Sequence, residues 1–227
     1  MRTLIKKQGL ILMAVVLTFS TLACSKNADT DTVNIENGDL DQTALQLTID
    51  TFPKEPLSDA ERNSLILMRE EEKLARDVYT TLYAKWGSRP FYNISSSEQT
   101  HMDAVLAVLK KYDIADPVGT NGIGVFQNAT MQSLYKQLVD LGNKNNLDAF
   151  KAGATIEDLD IFDLKRLSTE VDNKDILFVY SNLERGSRNH MRAFIRNIGN
   201  MGSVYIPQYI SQAEFDAIVS GSMETGH

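Results

Sequence analysis

Four long stretches of this chain place apolar residues at helical spacing, and the connections between them run short, long, short. The first follows SDAE, Ser58 to Glu61, which has the capping-box spacing of a Ser N-cap with Glu three residues on. It continues to about Trp86 with Leu67, Leu74, Val78 and Leu82 on one face, and GSRPFYN, residues 87–93, breaks it. The second spans about Ser96 to Tyr112, with Val105, Val108, Leu109 and Tyr112 on its apolar side. The Pro- and Gly-punctuated segment 113–126 follows, then a shorter helix from about Met131 to Asn143 and a break at Asn145–Asn146. The third long run covers about Leu147 to Glu170. The fourth runs from Lys174 to Ile198, with Ile176, Val179, Leu183, Phe194 and Ile198 on one face. SQAEFDAIVSG adds a short terminal helix with Phe215, Ile218 and Val219 inward. Strand-like alternation is nearly absent, so the expected fold class is all-α.

Short connections at 87–95 and 170–173 make two antiparallel hairpins, and the long one at 113–130 is a crossover between helices 2 and 3. A four-helix bundle with one long crossover has the ferritin-like layout. The ends of the chain read differently. Arg2, Lys6 and Lys7 precede the apolar stretch Leu10 to Ala23, which is too short to span a bilayer comfortably and reads as an export signal. The one cysteine, Cys24, follows TLA directly, so residues 1–23 resemble a bacterial lipoprotein signal, with Thr21 where Leu is more usual. Cleavage would leave Cys24 as a lipidated first residue, exported and anchored to a membrane of the cell envelope. Removing the three basic residues of the signal from 23 leaves 20 against 30 acidic ones, a formal net of −10. An acidic chain without a basic cluster argues against nucleic acid as a partner. Residues 24–56, rich in Asp and Glu, are expected to be a disordered tether, with Leu45 to Phe52 apolar enough to dock on the domain at 57–222.

The polar residues on the inward faces carry the chemistry. Positions i and i+3 of a helix lie about 60° apart, so Glu98 and His101 in SSSEQTH reach one point in a bundle core. Ser95-x-x-Glu98 is also a capping-box spacing, which would make Glu98 a cap and His101 a core histidine. In MREEEKLARDVY either Glu71 or Glu72 could face inward, and at least one of Glu70, Glu71 and Glu72 is expected to be exposed. An exposed Glu72–Arg76 pair is the alternative. In AGATIEDLDIFDL, Glu157 interrupts an apolar stripe, Asp160 follows three residues on, and Asp158 and Asp163 are expected to face outward. Small residues Ala152, Gly153 and Ala154 permit a close helix approach. In the fourth helix Leu183, Ser187, His190 and Phe194 form one stripe, with Ser187 where a Glu would complete a second Glu-x-x-His. Two metal ions between four helices need about four carboxylates and two imidazoles.

EKLARDVY, Glu72 to Tyr79, resembles the E-x-x-A-x-x-x-Y pattern of first helices in bacterioferritins and rubrerythrins, which selects Glu72 over Glu71. EQTH resembles their second-helix E-x-x-H, and EDLD is similar to the rubrerythrin third helix. EEEKLARDVY with GSRNHMRAF most resembles the family named domain of unknown function 2202, grouped with the ferritin-like proteins, over roughly residues 57–220. The resemblance implies a di-iron carboxylate site, or one holding Mn or Zn, with Glu72, Glu98, His101, Glu157, Asp160 and His190 as ligands and Ser187, Tyr79 and Glu71 behind them. It also implies O₂, peroxide or Fe(II) oxidation. Ser187 in place of Glu departs from the pattern. A lone cysteine leaves no rubredoxin-type centre, so turnover needs an external reductant. The alternative is a metal-binding or structural envelope lipoprotein without turnover; either reading admits a homodimer.

Overall fold

The computed structural model describes residues 42–225; the expected signal segment, Cys24 and the tether up to residue 41 lie outside them. Among the described residues there are seven helices and no strand: α1 Gln42–Thr51, α2 Asp59–Trp86, α3 Arg89–Lys111, α4 Ala129–Gly142, α5 Asn146–Ser168, α6 Lys174–Asn200 and α7 Gln212–Ser220. None is long and apolar enough to cross a membrane. α2 packs on α3 and α5, and α6 packs on α3 and α5, which closes a four-helix ring. The all-helical expectation holds.

α2 begins at the capping box expected for it. The Ser58 hydroxyl accepts from the Glu61 N–H at 3.2 Å, and Glu61 Oε2 accepts from the Ser58 N–H at 2.8 Å. The other oxygen of Glu61 accepts from the N–H groups of Asp172 and Asn173, so one side chain fastens α2 to the α5–α6 connection. The helix ends at Gly87, whose φ of +63° needs a residue without Cβ.

The break expected over 87–93 is only Gly87 and Ser88. Pro90 falls in the first turn of α3, where its missing N–H would have no helical partner in any case, so it starts the helix instead of interrupting it. α3 stops when Asp113 turns left-handed at φ 55° and the Ile114 N–H reaches back to the Leu109 carbonyl at 2.9 Å.

Part of the expected spacer is helical, including the stretch from Leu45 expected to dock on the domain. Residues 42–51 form α1, which packs on α3 and buries Leu45 and Ile49. The Lys111 ammonium donates to the carbonyls of Ile49 and Phe52 at 3.0 and 2.9 Å, closing the free end of α1.

The acidic run of α2 is not a solvated face. Glu70, Glu71 and Glu72 are all buried, against the expectation that at least one is exposed. Glu70 accepts from the N–H groups of Gln127 and Asn128 at 2.6 and 2.8 Å. Asp77 accepts from the Gly124 N–H at 2.9 Å, and Lys73 donates to Asp77 and to the Gly122 carbonyl. This outer face of α2 therefore lies under the crossover and supplies its backbone partners. Arg76 turns to Asp77 and Gln99, and forms no pair with Glu72. Asp158, expected to face outward, is fully buried and accepts from the Tyr205 hydroxyl and the N–H groups of Gln208, Tyr209 and Ile210. Asp163 is partly buried and pairs with Arg166.

The apolar core falls into two clusters. One gathers Leu74, Val78, Tyr79, Phe91, Phe150 and Phe194; the other gathers Leu65, Met68, Val105, Val108, Leu164 and Val179. On α2, α3 and α6 the boundary between them falls at the predicted polar positions, Glu71 and Glu72, Glu98 and His101, Ser187 and His190; on α5 it falls just beyond Glu157 and Asp160, between Ile161 and Leu164. A polar layer crosses the bundle at mid-height.

Candidate metal centre

α3 supplies the middle of the layer. Because α3 starts at Arg89, Glu98 lies well inside it, and the Ser95 hydroxyl bonds back to the Tyr92 carbonyl at 2.9 Å. The capping-box alternative for Ser95 and Glu98 is not what forms. Glu98, 2% exposed, stands between two imidazoles: Oε2 is 2.8 Å from His101 Nδ1 and Oε1 is 2.9 Å from His190 Nδ1. Glu72 from α2 brings Oε2 to 3.2 Å from His101 Nδ1, and Glu157 from α5 brings Oε2 to 3.6 Å from His190 Nδ1. The two imidazole rings stack with centroids 5.5 Å apart.

Two triads result, Glu72–Glu98–His101 and Glu98–Glu157–His190. Within each, one donor atom per residue lies within 4.8 Å of the others. Glu98 is common to both. The geometry therefore brings together five of the six residues predicted as ligands. Asp160 reaches the same layer but neither triad; its Oδ2 accepts the hydroxyl of Ser187, which also lies 3.0 Å from the Leu183 carbonyl.

Surrounding groups aim the donors. The Tyr79 hydroxyl donates to Glu157 Oε1 at 2.5 Å and leaves Oε2 toward His190. Ser97 Oγ lies 3.1 Å from His190 Nε2 and turns Nδ1 inward. The sequence reading missed Ser97, although it lies four residues before His101 on the same stripe. It also missed Gly186. A Cβ there would fall 2.5 Å from Cε1 of His101, so glycine makes room for the ring. Its signal was a lone glycine inside a helical pattern. Gly153 serves likewise: a Cβ would fall 2.7 Å from the Phe194 ring, and its carbonyl faces the Tyr79 hydroxyl.

Burial sets the electrostatics. It lifts the Glu72 carboxyl to about 8, only partly offset by His101, and lifts Glu157 against the pull of His190. It also raises Glu71 and Asp160 well above the usual carboxylate range, with neighbouring acids adding to the effect. Glu98 goes the other way: burial pushes it up, but His190 and His101 together hold it far below the usual range. Burial disfavours the imidazolium of His190, yet Glu98 and Glu157 raise it to about 10, and His101 is raised by Glu98 and Glu72. Three carboxylates and two imidazole nitrogens, converging in a buried layer, are a donor set for divalent first-row ions. The fit has a specific mark. His190 Nδ1 is close to Glu98 but makes no hydrogen bond, and Glu72 Oε1 has no partner either. Buried polar atoms left without a partner in this way fit a place for an ion.

The fold and this layer define an all-helical protein with a buried carboxylate and histidine cluster at the middle of a four-helix ring. More particularly, the chain belongs to the family described as Uncharacterized protein domain (DUF2202), which matches residues 61–222 and so spans both triads. It is 58% identical over 178 residues to uncharacterized protein MJ0754 of Methanocaldococcus jannaschii, covering 78% of this chain and 96% of that protein. The crystal structure of hypothetical protein MJ0754 from Methanococcus jannaschii DSM 2661 is similar with a TM-score of 0.75 and 59% identity, over 76% of this chain and 98% of that one.

Proposed function

We propose that this is an exported, lipid-anchored protein whose ferritin-like bundle holds two divalent ions, iron first and Mn or Zn as alternatives, for O₂, peroxide or Fe(II) oxidation. The observation that carries this reading is Glu98, with one carboxylate oxygen toward each of two histidines and a further carboxylate completing each side. When bound, an iron pair would supply two electrons to O₂ or peroxide, or take them from incoming Fe(II). The chain's own residues do the rest. Glu98 would serve both ions, with Glu72 and His101 holding one and Glu157 and His190 the other. Tyr79 and Ser97 hold Glu157 and His190 in orientation, and the two apolar clusters exclude water from the layer. An external reductant would return electrons, since one cysteine builds no second redox centre. Anchoring through Cys24 rests on the basic segment, apolar stretch and TLA-Cys order at the start of the chain.

A second reading, ion holding without turnover, is favoured by Ser187, which puts a hydroxyl where α6 would offer another carboxylate. Metal analysis of the full chain purified without a histidine tag separates the two. About two irons per chain with Fe(II) oxidation above the buffer rate is the expected result. Glu98→Gln should lose both ions, because neither triad is complete without it. One stable ion and no oxidation would favour the second reading, and no metal above background would sink both.

A further inference from the structure

One end of the bundle gathers three segments: the α2–α3 turn, the α4–α5 junction, and the end of α6 with the stretch after it. The Lys85 ammonium donates to the Asn143 carbonyl at 2.6 Å and the Trp86 indole to the Gly142 carbonyl at 2.8 Å. The Ser88 hydroxyl reaches Asn146 Oδ1 at 3.1 Å. Arg89 and Arg196 line one surface cavity between α3 and α6, and Lys151 lines another with Val204 to Gln208.

The charge of this end is the reverse of the chain's. Residues 83–93, 140–151 and 196–208 carry Lys85, Arg89, Lys144, Lys151 and Arg196 against Asp140 and Asp148, a net of +3 where the whole chain has −7. None of the five basic side chains has an ion-pair partner among the described residues. The sequence scatters them, and only the fold brings them together.

Apolar side chains project among these charges. Val204 and Ile206 are 75% and 71% exposed, more than any other large hydrophobic side chain among the described residues, and Tyr83, Tyr92 and Met201 are exposed on the same segments. Tyr205, between the two aliphatic residues, turns inward: its hydroxyl donates to Asp158 at 2.8 Å and its ring lies 5.9 Å from that of Phe215. Asp158 also holds the backbone from Gln208 to Ile210, so Val204 and Ile206 are presented on a fixed stretch.

Basic side chains around exposed aliphatic and tyrosine residues match the headgroups and upper acyl region of an anionic bilayer. A second copy fits worse, since two-fold pairing would set this positive face against itself. A nucleic acid would use the charges but leave Val204 and Ile206 in water. Residues 24–41 can span about 60 Å when extended. The 28 residues of α2 span only about 42 Å, so an anchor at Cys24 permits this end to reach the lipid.

We propose that this end of the bundle docks on an anionic lipid surface, with Val204 and Ile206 entering the acyl region and Arg89, Lys151 and Arg196 meeting headgroup phosphates. The proposal rests on the lipid-anchored reading for the membrane beside the protein, and on the fold for the face.

A nitroxide at Ile206→Cys of the acylated full chain, on vesicles of phosphatidylglycerol and phosphatidylcholine, tests it by electron paramagnetic resonance. The label should gain collisions with dissolved O₂ and lose them with a water-soluble nickel chelate. A label at Asp113→Cys, at the opposite end of α3, should show neither change. Adding Arg89→Gln and Arg196→Gln should cut the ratio of docked to free label roughly fivefold per charge. Equal nickel access at position 206 with and without vesicles overturns the proposal. So does equal protection on phosphatidylcholine alone, or protection without vesicles that grows with protein concentration, which would mark a second copy as the occupant. Failure of the anchored reading looks different: mass spectrometry would find Cys24 unmodified. Sedimentation of that full chain with the same vesicles then decides: loss of binding in Val204→Ser with Ile206→Ser supports the face, and no difference from the unaltered chain overturns it.

Discussion

At Gly186 the nearest neighbour of α6 is the His101 ring: a Cβ there would lie 2.5 Å from Cε1 and 2.6 Å from Nε2. His101 is fully buried, so the ring has nowhere to retreat. Gly186→Ala would gain about 1 kcal/mol from helix propensity, while overpacking a rigid site costs about 1–3 kcal/mol. The expected result is a lower melting temperature together with reduced metal content, measured on the same preparation. A variant more stable than the parent, with unchanged metal, would show that the ring is not held there. Residues of this kind mark the limit of sequence reading. Glu98, His101, Glu157 and His190 were legible because a charged or titratable group interrupting an apolar stripe is conspicuous. Gly186 and Ser97 were not, since a glycine or serine inside a helix carries no sign of the ring it accommodates or aims. Asp158, and whichever acid of Glu70 to Glu72 was expected at the surface, were misread as to exposure because Asp158 and Glu70 find their partners in backbone N–H groups of distant loops.

Among the elements, α1 depends most on its neighbours. A ten-residue helix is marginal alone in water, and this one persists through Leu45, Ile49 and the Lys111 contacts with its last turn. Ile49→Asp should release α1 while leaving the bundle folded, at a cost of roughly 2–4 kcal/mol in overall stability. Limited proteolysis would then cut between residues 42 and 57 in the variant but not in the parent; resistance in both would mean that α1 is held by something other than Ile49. The long helices were legible because their periodicity persists for many turns. The start of α3 was not, because proline reads as a breaker until its position in the first turn is known.

For the molecule as a whole, pH links folding to ion binding. His190 titrates near 10 in the folded protein instead of 6.5, since the carboxylates of Glu98 and Glu157 outweigh burial. Its contribution is fully present below 6.5 and lost as pH rises through 10. Burial lifts Glu72 from 4.5 to about 8, so that group too stabilises the fold at low pH and ceases to do so as pH passes 8. Protein stripped of divalent ions should therefore lose stability on the alkaline side. Ions bind the deprotonated donors, so their stabilising effect should grow over the same interval. Calorimetry of loaded and stripped protein should show the gap in melting temperature widening from about pH 6 to about pH 9. A constant gap would mean that the ions bind elsewhere.

The mid-height layer also limits how the length of this chain can change. Each inserted residue turns the rest of a helix by about 100°, so one extra residue between Phe150 and Glu157 would swing one side of the layer away from the other. Seven residues would nearly restore the angle, leaving a drift of about 20°. They would also lengthen one half of the bundle by about 10 Å and leave its partner helices short. The stretch between α6 and α7 offers no easy alternative, because Asp158 already holds the backbone of Gln208, Tyr209 and Ile210. Length variation in the domain is thus steered toward the α4–α5 junction around Asn143 to Asn145, where no helix has to keep phase with the layer across the insertion.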